Sequence, residues 1–249
     1  MFGVTFDLLD TSDVLARIDA ARENGRFSYI VTPNVDHVVR NQSPHGIAAP
    51  YDAAWLTLCD SMPLTILAKL LGHELPRVTG SDLTAEVFDK VLRAGDRLAV
   101  IASHEEVVDR LRLQYPKLRI RVHVPPIGVR HNAEELLKCV DFVRAEPNDF
   151  VFLAIGSPQS EAIAYALSKS DSASGIGLCI GASLEFLTGM KRRAPRWMSA
   201  TGLEWLHRLA TDPRRLWRRY LYAIVPLMRL VAHELRLKRK RLLRVYIER

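Results

Sequence analysis

The sequence predicts an α/β protein, in which a parallel sheet is covered by helices on both faces and is followed by a basic helical appendage at the C-terminal end. Two observations support this fold class. Short apolar runs alternate with segments of helical spacing through the first three quarters of the chain, and positive charge is concentrated in the last quarter. The chain has 249 residues, 48% of them hydrophobic and 25% charged, which is the composition of a folded protein.

The predicted strands are short and apolar, and most are rich in β-branched or aromatic residues, as buried parallel strands are. They are Tyr29–Thr32, Leu98–Ala102, Ile120–Val124, Phe150–Ile155 and Ile176–Ile180. Apolar residues at helical spacing lie between them, and several of these segments begin at a Ser, Asp or Asn cap. The predicted helices are Ser12–Ala21, Ser81–Leu92, Glu105–Gln114, Ala133–Arg144 and Glu161–Leu167.

The charge distribution divides the chain into a body, residues 1–190, and an appendage, residues 191–249. The appendage holds 17 of the 35 Lys and Arg but only four of the 28 Asp and Glu, a net charge of +13, whereas the body carries −6. Between Leu216 and Leu235, large apolar residues recur at three- and four-residue steps, which predicts an amphipathic helix kinked at Pro226. Basic residues beside apolar ones suit an anionic membrane interface. The alternative is a surface helix packed on its own domain.

The sequence also predicts a protein kept in a reducing compartment. Its three cysteines form an odd number without paired spacing, which argues against both a disulfide framework and a zinc site. The N-terminal residues lack the basic-then-apolar order of a secretory signal. No uncharged apolar run reaches the ~18 residues needed to cross a bilayer. We therefore expect a cytoplasmic protein.

Polar or glycine-containing turns follow three of the predicted strands, where ligands of parallel sheets bind. They are Thr32-Pro33-Asn34, Gly156-Ser157-Pro158 and Gly181-Ala182-Ser183. The two glycine turns lead toward helices, so their backbone N–H groups are candidates for holding phosphate, although any α/β protein needs small residues there. The sequence contains neither GxGxxG nor GxxxxGK[ST], which argues against a standard dinucleotide enzyme or a P-loop NTPase.

Longer motifs resemble one family. The run Gly181–Gly189 is followed by Lys191–Met198, by Gly202–Leu209 and by Asp212–Leu221. Earlier companions are Thr32-Pro33-Asn34, the segment Leu58-Cys59-Asp60-Ser61-Met62-Pro63, the segment Arg77–Leu83, and Gly156-Ser157-Pro158. This series resembles the WecG/TagA/CpsF glycosyltransferases, glycosyltransferase family 26, over nearly the whole chain.

The resemblance implies a Rossmann-like body and an appendage that helps complete the site and contacts the membrane. It also implies an inverting transferase that moves a sugar from a nucleotide donor, commonly a UDP-sugar, to a polyprenyl-diphosphate-linked saccharide. The sugar is expected to be a hexose or an N-acetylhexosamine. Family members act on the cytoplasmic face of the membrane in the biosynthesis of bacterial surface polysaccharides. No cofactor is expected, and homo-oligomerisation stays open.

At three places this sequence differs from the residues that are usual in the family. Ser160 occupies the place of a frequent Gln, Glu185 that of a frequent Asp, and Cys59-Asp60-Ser61 that of Ala-Asp-Gly. These differences bear on which sugar is transferred more than on the type of reaction.

Inverting transfer needs a base that takes the proton of the attacking hydroxyl. We expect Asp60 to be that base, because it follows an apolar stretch, Ala53–Cys59, that favours a raised carboxyl pKa. A helix-capping role for Asp60 is the structural alternative. Asp36 and His37 are rival bases.

The remaining site residues are expected to bind the substrates. Thr32 and Asn34 offer hydrogen bonds at the end of a strand, although turn formation around Pro33 also explains them. Glu161 and Glu185 are candidates for ribose or sugar hydroxyls, with a solvent-facing Glu185 as the alternative. The expected substrate-binding set is Thr32, Asn34, Arg77, Gly156, Ser157, Pro158, Ser160, Glu161, Gly181, Ala182 and Glu185.

The departing diphosphate needs positive charge. No Asp-x-Asp occurs in the chain, so the usual acidic motif for a divalent metal is missing, and no metal site is expected. Guanidinium groups bind phosphate oxygens in two-point fashion. The expected diphosphate-binding residues are Arg208, Arg214, Arg215 and Arg218, for which lipid-headgroup contact or solvation is the alternative. If the appendage supplies both this clamp and the membrane contact, transfer is coupled to docking.

Two other functions compete with a transferase. A nucleic-acid-binding protein is suggested by the pI of about 9.5, but the appendage interleaves large apolar residues too densely for an arm that follows solvated phosphates, so no nucleic-acid partner is expected. A catalytically inactive membrane scaffold is conceivable because of Ser160 and Glu185.

Overall fold

The computed structural model describes residues 3–42, 48–195, 198, 204–211, 213, 217, 226–232 and 235–236. Strands and helices alternate along the body. The strands are β1 Ser28–Val31, β2 Leu56–Thr57, β3 Arg97–Ala102, β4 Arg119–His123, β5 Phe150–Ala154 and β6 Ile176–Cys179. The helices are α1 Thr11–Ala21, α2 Val35–Asn41, α3 Ala48–Asp52, α4 Met62–Leu70, α5 Gly80–Glu86, α6 Glu105–Gln114, α7 Ala133–Arg144, α8 Gln159–Ser168, α9 Ser183–Leu187 and α10 Glu204–Thr211.

The six strands form one sheet in the order β2-β1-β6-β5-β3-β4, and every pairing is parallel. All five predicted strands are present: four of them end one residue earlier than predicted, β3 ends at Ala102 as predicted, and β1, β3 and β4 begin one residue earlier. The sequence prediction missed β2, which is only two residues long. The predicted parallel α/β fold is therefore confirmed.

Apolar side chains on the two faces of the sheet form separate cores, because successive residues of a strand point to opposite faces. On one face, residues such as Ile30 and Phe152 pack with α1, α5, α6 and α9. On the other face, residues such as Val31 and Leu153 pack with α3, α7 and α8. Helices thus cover both faces, as predicted. Cys139 and Cys179 belong to the second core, Cys59 to a third cluster, and all three are buried free thiols.

The predicted helices are all present. Glu105–Gln114 and Ala133–Arg144 agree to the residue. The predicted Ser81–Leu92 is α5, which continues as a π-helical turn over Val87–Val91. Side-chain caps explain the starts, as at Asp10 for α1, Thr79 for α5 and Asn132 for α7. The sequence prediction missed the shorter helices α2, α3, α4 and α9.

In the described parts of the appendage, α10 and residues 226–232 are helical. Leu227, Leu230 and Val231 pack against a third cluster of buried residues in the body, which consists of Val4, Val38, Cys59, Leu64 and Leu71. The predicted amphipathic helix between Leu216 and Leu235 is described only in part, since residues 216, 218–225 and 233–234 lie outside the described residues. In the portion of the chain that the structure describes, no helix is both long and apolar enough to span a membrane.

A buried ion pair joins α1 to the start of β3, at the end of the sheet opposite the strand carboxyl termini. Arg22 Nη2 lies 2.6 Å from Asp96 Oδ1, and the two side chains are 12% and 9% exposed. The same guanidinium donates to the carbonyl of Val91 and lies over the ring of Phe150, while Asp96 Oδ2 accepts from the N–H of Arg93. Both charges of the pair are therefore compensated and hydrogen-bonded, as buried charges require.

Replacing Asp96 by Ala is expected to lower the free energy of unfolding by about 3 kcal/mol, because it leaves the Arg22 charge buried without its carboxylate. Urea denaturation followed by circular dichroism measures this. Asp171→Ala is the matched control, since its pair with Arg26 is almost fully exposed. Equal stabilities for Asp96→Ala and the wild type would show that the pair contributes nothing.

Candidate active site

All strand carboxyl ends meet at one edge of the sheet because every pairing is parallel. Along this edge the chain leaves β5 and β6 toward opposite faces: α8 packs with one core and α9 with the other. Neighbouring strands whose connections diverge in this way leave a crevice between their ends, where α/β proteins bind ligands. The Gly156 and Gly181 turns flank this crevice. Neighbouring strands lie about 4.8 Å apart, so the edge from β2 to β5 spans about 14 Å.

Asp60 lies at this edge, three residues after β2. Its N–H donates to the carbonyl of Pro33, 3.1 Å away, which joins the segment after β2 to the turn after β1. Cys59 forms a parallel bridge with Arg77, and the N–H of Val78 donates to the carbonyl of Cys59. The Asp60 backbone is therefore held from both sides. Burial raises the pKa of the Cys59 thiol to about 12, and the Asp60 charge also raises it.

Three polar side chains converge around the first residue of α5. A Cβ built on Gly80 would lie 3.0 Å from Thr32 Oγ1, 3.6 Å from Ser183 Oγ and 3.9 Å from Asp60 Oδ2. The N–H of Gly80 also donates to Asp60 Oδ2, at 3.3 Å. Real Cβ contacts as short as 3.0 Å are rare, so a larger residue here would require the Thr32 side chain to move. The ends of β1, β2 and β6 thus contribute one hydroxyl, one carboxylate and one hydroxyl to a single spot.

These contacts test whether Asp60 caps α4, the helix that follows it. The cap of α4 is Ser61, whose Oγ accepts from the N–H of Leu64 at 3.4 Å. Asp60 instead accepts from α5, a helix distant in sequence, at one of the first-turn N–H groups that have no partner within a helix. Capping of the helix that follows it is therefore not the role of Asp60.

The turn after β1 has a clear structural role. Asn34 is the cap of α2, and its Oδ1 accepts from the N–H groups of Asp36 and His37 at 3.0 and 3.5 Å. Asp36 forms an ion pair with Arg40 one turn later. The turn interpretation of Asn34 is thus supported, and a contact from its amide to substrate stays a prediction.

The Gly156 turn begins α8. Gly156 has φ +81°, which favours glycine, and its carbonyl accepts from the N–H of Ser160 at 3.0 Å. Ser157 and Pro158 are joined by a cis peptide bond. Ser160 is 1% exposed, and its Oγ donates to the carbonyl of Leu153 at 3.0 Å. This hydroxyl serves the strand–helix junction, and a contact between Ser160 and substrate stays untested.

Glu161 belongs to a buried polar group beside this turn. The carboxylate is 3% exposed, and its Oε2 has no hydrogen-bond partner among the described residues. The hydroxyl of Tyr51, a residue that is 5% exposed, is likewise without one. Arg40 Nη1 lies 3.5 Å from Ser157 Oγ. Burial raises the pKa of Glu161, and hydrogen bonds from its own N–H and from Ser157, together with the charge of Arg40, offset only part of that effect.

The Gly181 turn carries a second buried carboxylate. Gly181 has φ +54°, and Ala182 is the residue that precedes α9. Glu185 is buried rather than facing solvent: it forms an ion pair with Lys191, and its Oε1 accepts from Ser103 Oγ at 3.4 Å. The alternative of a solvent-facing Glu185 is therefore wrong. Ser103 follows β3, so Glu185 connects two strand ends.

The first residues of the appendage are tied to this edge. Arg193 Nη2 lies 2.7 Å from Asp82 Oδ1 and 3.3 Å from Ser81 Oγ, in the first turn of α5. Burial opposes ionisation of Asp82, but hydrogen bonds from Thr79 and Arg193 and the charges of Arg193 and Arg77 lower its pKa. Arg214, Arg215 and Arg218, and the side chain of Arg208, lie outside what the structure describes. Their predicted role in binding diphosphate stays a prediction.

The structure therefore brings together Thr32 and Asp60, as the sequence led us to expect, and adds Ser183 and Gly80. It places Ser157 and Glu161 in a second group with Arg40 and Tyr51, and Glu185 in a third with Ser103 and Lys191. Sequence reasoning missed Ser183 although it stood inside the Gly181 turn, and it missed Gly80 although it stood inside the Arg77–Leu83 motif. Within the described ranges, no three His, Cys, Asp or Glu side chains cluster closely enough to hold a metal ion.

Comparison with known proteins agrees with these motifs. The model of the Glycosyl transferase WecG/TagA/CpsF family matches residues 1–241. The chain is similar to the N-acetylglucosaminyldiphosphoundecaprenol N-acetyl-beta-D-mannosaminyltransferase of Bacillus spizizenii, at 27% identity over 205 residues that cover 80% of this chain and 77% of that protein. A protein of the same name from Bacillus subtilis is 28% identical over 170 residues, which cover 66% of this chain and 63% of that protein.

Replacing Glu161 by Gln is expected to stabilise the protein at pH 8. Burial holds the folded-state pKa of Glu161 above 4.5, so the folded state binds this proton more tightly than the unfolded state does. The carboxyl group's contribution to stability is therefore full below that value and is lost as the pH rises through the folded-state pKa. Glutamine does not ionise, so the variant keeps its stability over that range.

Urea denaturation of both proteins from pH 4 to pH 8 measures this difference. The advantage of Glu161→Gln is expected to grow with pH and to vanish near pH 4. Glu146→Gln is the control, because that carboxylate lies at the surface. A constant difference between wild type and Glu161→Gln across the range would contradict the buried-charge explanation.

Proposed function

The chain belongs to the WecG/TagA/CpsF family of glycosyl transferases, and from that premise we propose that it transfers an N-acetylhexosamine from a UDP-sugar to a polyprenyl-diphosphate-linked saccharide. The names of both Bacillus relatives support this substrate class, since they describe an N-acetylmannosaminyl group and an N-acetylglucosaminyl-diphosphoundecaprenol acceptor. We further propose that the reaction inverts the anomeric carbon, needs no metal ion, and serves bacterial surface polysaccharide biosynthesis.

One observation carries the proposal: the carboxylate of Asp60 and the hydroxyls of Thr32 and Ser183 converge at Gly80, beside the β5–β6 crevice. Inverting transfer requires a base close to the site that holds the nucleotide sugar. Asp60 and the β5–β6 crevice lie at the same edge of the sheet. Asp60 takes the proton of the acceptor hydroxyl as the oxygen attacks the anomeric carbon. The bond from that carbon to the diphosphate breaks on the opposite side, and the nucleoside diphosphate leaves with the bonding electron pair.

We prefer Asp60 to its two rivals as the base on geometric grounds. The carboxylate of Asp36 is already engaged in an ion pair with Arg40 on its own helix. His37 lies in the first turn of α2, where its backbone N–H, rather than its ring, donates to Asn34 Oδ1. Asp60 instead stands where three strand ends meet, and its carboxylate oxygen receives the Gly80 N–H, which orients it.

In this proposal the donor binds at the carboxyl ends of β5 and β6. Turns at Gly156 and Gly181 allow close approach of backbone to a nucleotide, and each leads into a helix. Glu161 and Tyr51 carry buried oxygen atoms without a hydrogen-bond partner among the described residues, so ribose or sugar hydroxyls are suitable partners for them. Glu185 is already engaged by Ser103 and Lys191, which makes it an organiser of the crevice wall.

The leaving diphosphate is neutralised by arginines of the appendage in this proposal. The sequence has no Asp-x-Asp, whereas four arginines, Arg208, Arg214, Arg215 and Arg218, follow the segment that Arg193 attaches to α5. Arg193 therefore holds the beginning of the appendage against the first turn of α5, the helix whose Gly80 contacts Asp60. If these arginines bind the diphosphate, the active site is complete only when the appendage is packed on the body.

We also propose a peripheral location on the cytoplasmic face of the membrane. The acceptor named for both relatives is attached to undecaprenol, a membrane lipid. The appendage combines a net charge of +13 with large apolar residues, which favours an anionic lipid surface.

Asp60→Asn is expected to lower kcat about 10³-fold, because the amide keeps the shape but cannot accept the proton. Transfer is measured by mass spectrometry with UDP-N-acetylmannosamine and an N-acetylglucosaminyl-diphospholipid acceptor. Asp36→Asn, which changes the rival carboxylate, is expected to lose far less. Equal rates for Asp60→Asn and the wild type exclude Asp60 as the base, and zero rates for both favour the inactive scaffold.

Arg214→Ala combined with Arg215→Ala is expected to raise the KM for the nucleotide sugar at least tenfold, since each guanidinium–phosphate pair contributes about 1.5–3 kcal/mol. Arg229→Ala, an exposed arginine of the same appendage, is the control and is expected to leave the KM unchanged. EDTA is expected to leave the wild-type rate unchanged. Loss of activity in EDTA that Mg²⁺ restores would refute the metal-free clamp.

A further inference from the structure

Helix α4 exposes apolar side chains on its outer side. Its inner side packs Leu64 and Ala68 into the body, both of them fully buried. Its outer side presents Ile66, 53% exposed, and Leu70, 68% exposed, one turn apart with Lys69 between them. Surface helices normally place polar residues outward, so an apolar outer stripe marks a surface that contacts something. We define Ile66, Lys69 and Leu70 as the α4 face.

The appendage extends this exposed apolar surface. Residues 226–232 pack against the cluster of buried body residues that includes Leu64 and Leu71 from α4 and its cap. The opposite side of this segment presents Met228, 62% exposed, and the exposed Arg229. Two helical segments that share one buried cluster thus both carry exposed apolar and cationic side chains.

The α4 face is connected directly to the proposed base. Asp60 precedes Ser61, the cap of α4, and the helix then continues for nine residues. At 1.5 Å per residue, Leu70 lies only about 12 Å along the axis from the first residue of α4. Whatever contacts the α4 face therefore lies within about one short helix length of Asp60.

We propose that the α4 face docks on the anionic bilayer that carries the acceptor, with Ile66 and Leu70 buried among the lipid headgroups and Lys69 against their phosphates. This inference rests on the proposed function, because only a lipid-linked acceptor makes a membrane the neighbour of Asp60. Charge complementarity favours a bilayer over a protein partner: the face is apolar and cationic, residues 226–232 pack on the cluster to which α4 contributes, and the sequence of the appendage carries +13. The body then contributes its own membrane contact in addition to the appendage.

Vesicle binding tests the proposal. Ile66→Ser combined with Leu70→Ser is expected to weaken cosedimentation with phosphatidylglycerol-containing vesicles about tenfold, since two partly exposed side chains lose their apolar transfer energy. The matched control is Leu113→Ser combined with Leu137→Ser, which alters two exposed leucines on α6 and α7. Equal loss in both double variants, or no loss in the α4 variant, would overturn the proposal. Far-UV circular dichroism and the midpoint of thermal unfolding confirm that both variants fold.

Two acceptors separate this inference from the proposed function. With a short-chain, water-soluble diphospholipid acceptor, the α4 variant is expected to turn over at the wild-type rate. With the long-chain acceptor embedded in vesicles, it is expected to be about tenfold slower. Absence of transfer by the wild type with either acceptor would refute the proposed function while leaving the vesicle-binding result to decide the docking surface. Equal rates for both proteins on the embedded acceptor would overturn the docking.

A charge variant and the oligomeric state complete the test. Lys69→Glu is expected to weaken binding to anionic vesicles about tenfold at low salt and to leave binding to neutral vesicles unchanged. Light scattering of the wild type in solution tests whether a second copy covers the α4 face instead. A dimer that Ile66→Ser with Leu70→Ser converts to a monomer, with vesicle binding unchanged, would assign the face to self-association and overturn the proposal.

Discussion

The candidate site depends on one close approach, that of the α5 backbone to the ends of three strands. Gly80 carries no side chain, so its N–H reaches Asp60 Oδ2 while the Thr32 and Ser183 hydroxyls lie around its Cα. Any larger residue would place its Cβ 3.0 Å from Thr32 Oγ1. The strand order makes this approach possible, since β2, β1 and β6 are neighbours and all end at the same edge. The position of the proposed base is therefore a consequence of both sheet topology and the absence of one side chain.

The buried Arg22–Asp96 ion pair and two buried oxygen atoms that have no hydrogen-bond partner among the described residues lie at opposite ends of the sheet. At the amino end, the buried charges of Arg22 and Asp96 satisfy one another and their neighbours. At the carboxyl end, Glu161 and Tyr51 are buried with oxygen atoms that have no hydrogen-bond partner among the described residues. Such groups cost free energy unless a ligand supplies the missing hydrogen bonds. This difference between the two ends suits a ligand-binding edge. The two oxygen atoms without a described partner lie at the carboxyl end, and the apolar cores and the Arg22–Asp96 pair stabilise the rest of the sheet.

Much of the fold could be predicted from local sequence, because buried parallel strands are apolar runs and their connecting helices have caps. The prediction missed β2 because two residues carry no periodicity, and it missed α2 although Asn34 has the residue type of a cap. Thr32 and Asp60 were predicted as site residues because each follows an apolar run. The proximity of Glu161 to Tyr51 and the crowding around Gly80 could not be predicted, since they bring together residues that are far apart in sequence through strand order and register. Ser160 was predicted as a substrate-binding residue from its position in a motif. That position does not reveal that its hydroxyl donates to the Leu153 carbonyl.

The arrangement of α4 links the position of the base to the surface of the molecule. A helix is rigid along its axis, so the distance from Asp60 to the exposed Ile66 and Leu70 is fixed by a few covalently connected residues rather than by a flexible linker. Among the described residues, two of the contacts between the appendage and the body bear on this geometry. Arg193 pairs with Asp82 in α5, whose first residue contacts Asp60, and residues 226–232 pack on the cluster that includes Leu64 of α4. A surface contacting α4 and the appendage together therefore sets the depth of Asp60 relative to that surface. For an acceptor whose reactive hydroxyl stands a constant height above a membrane, a fixed depth is the geometric requirement for a base to reach it.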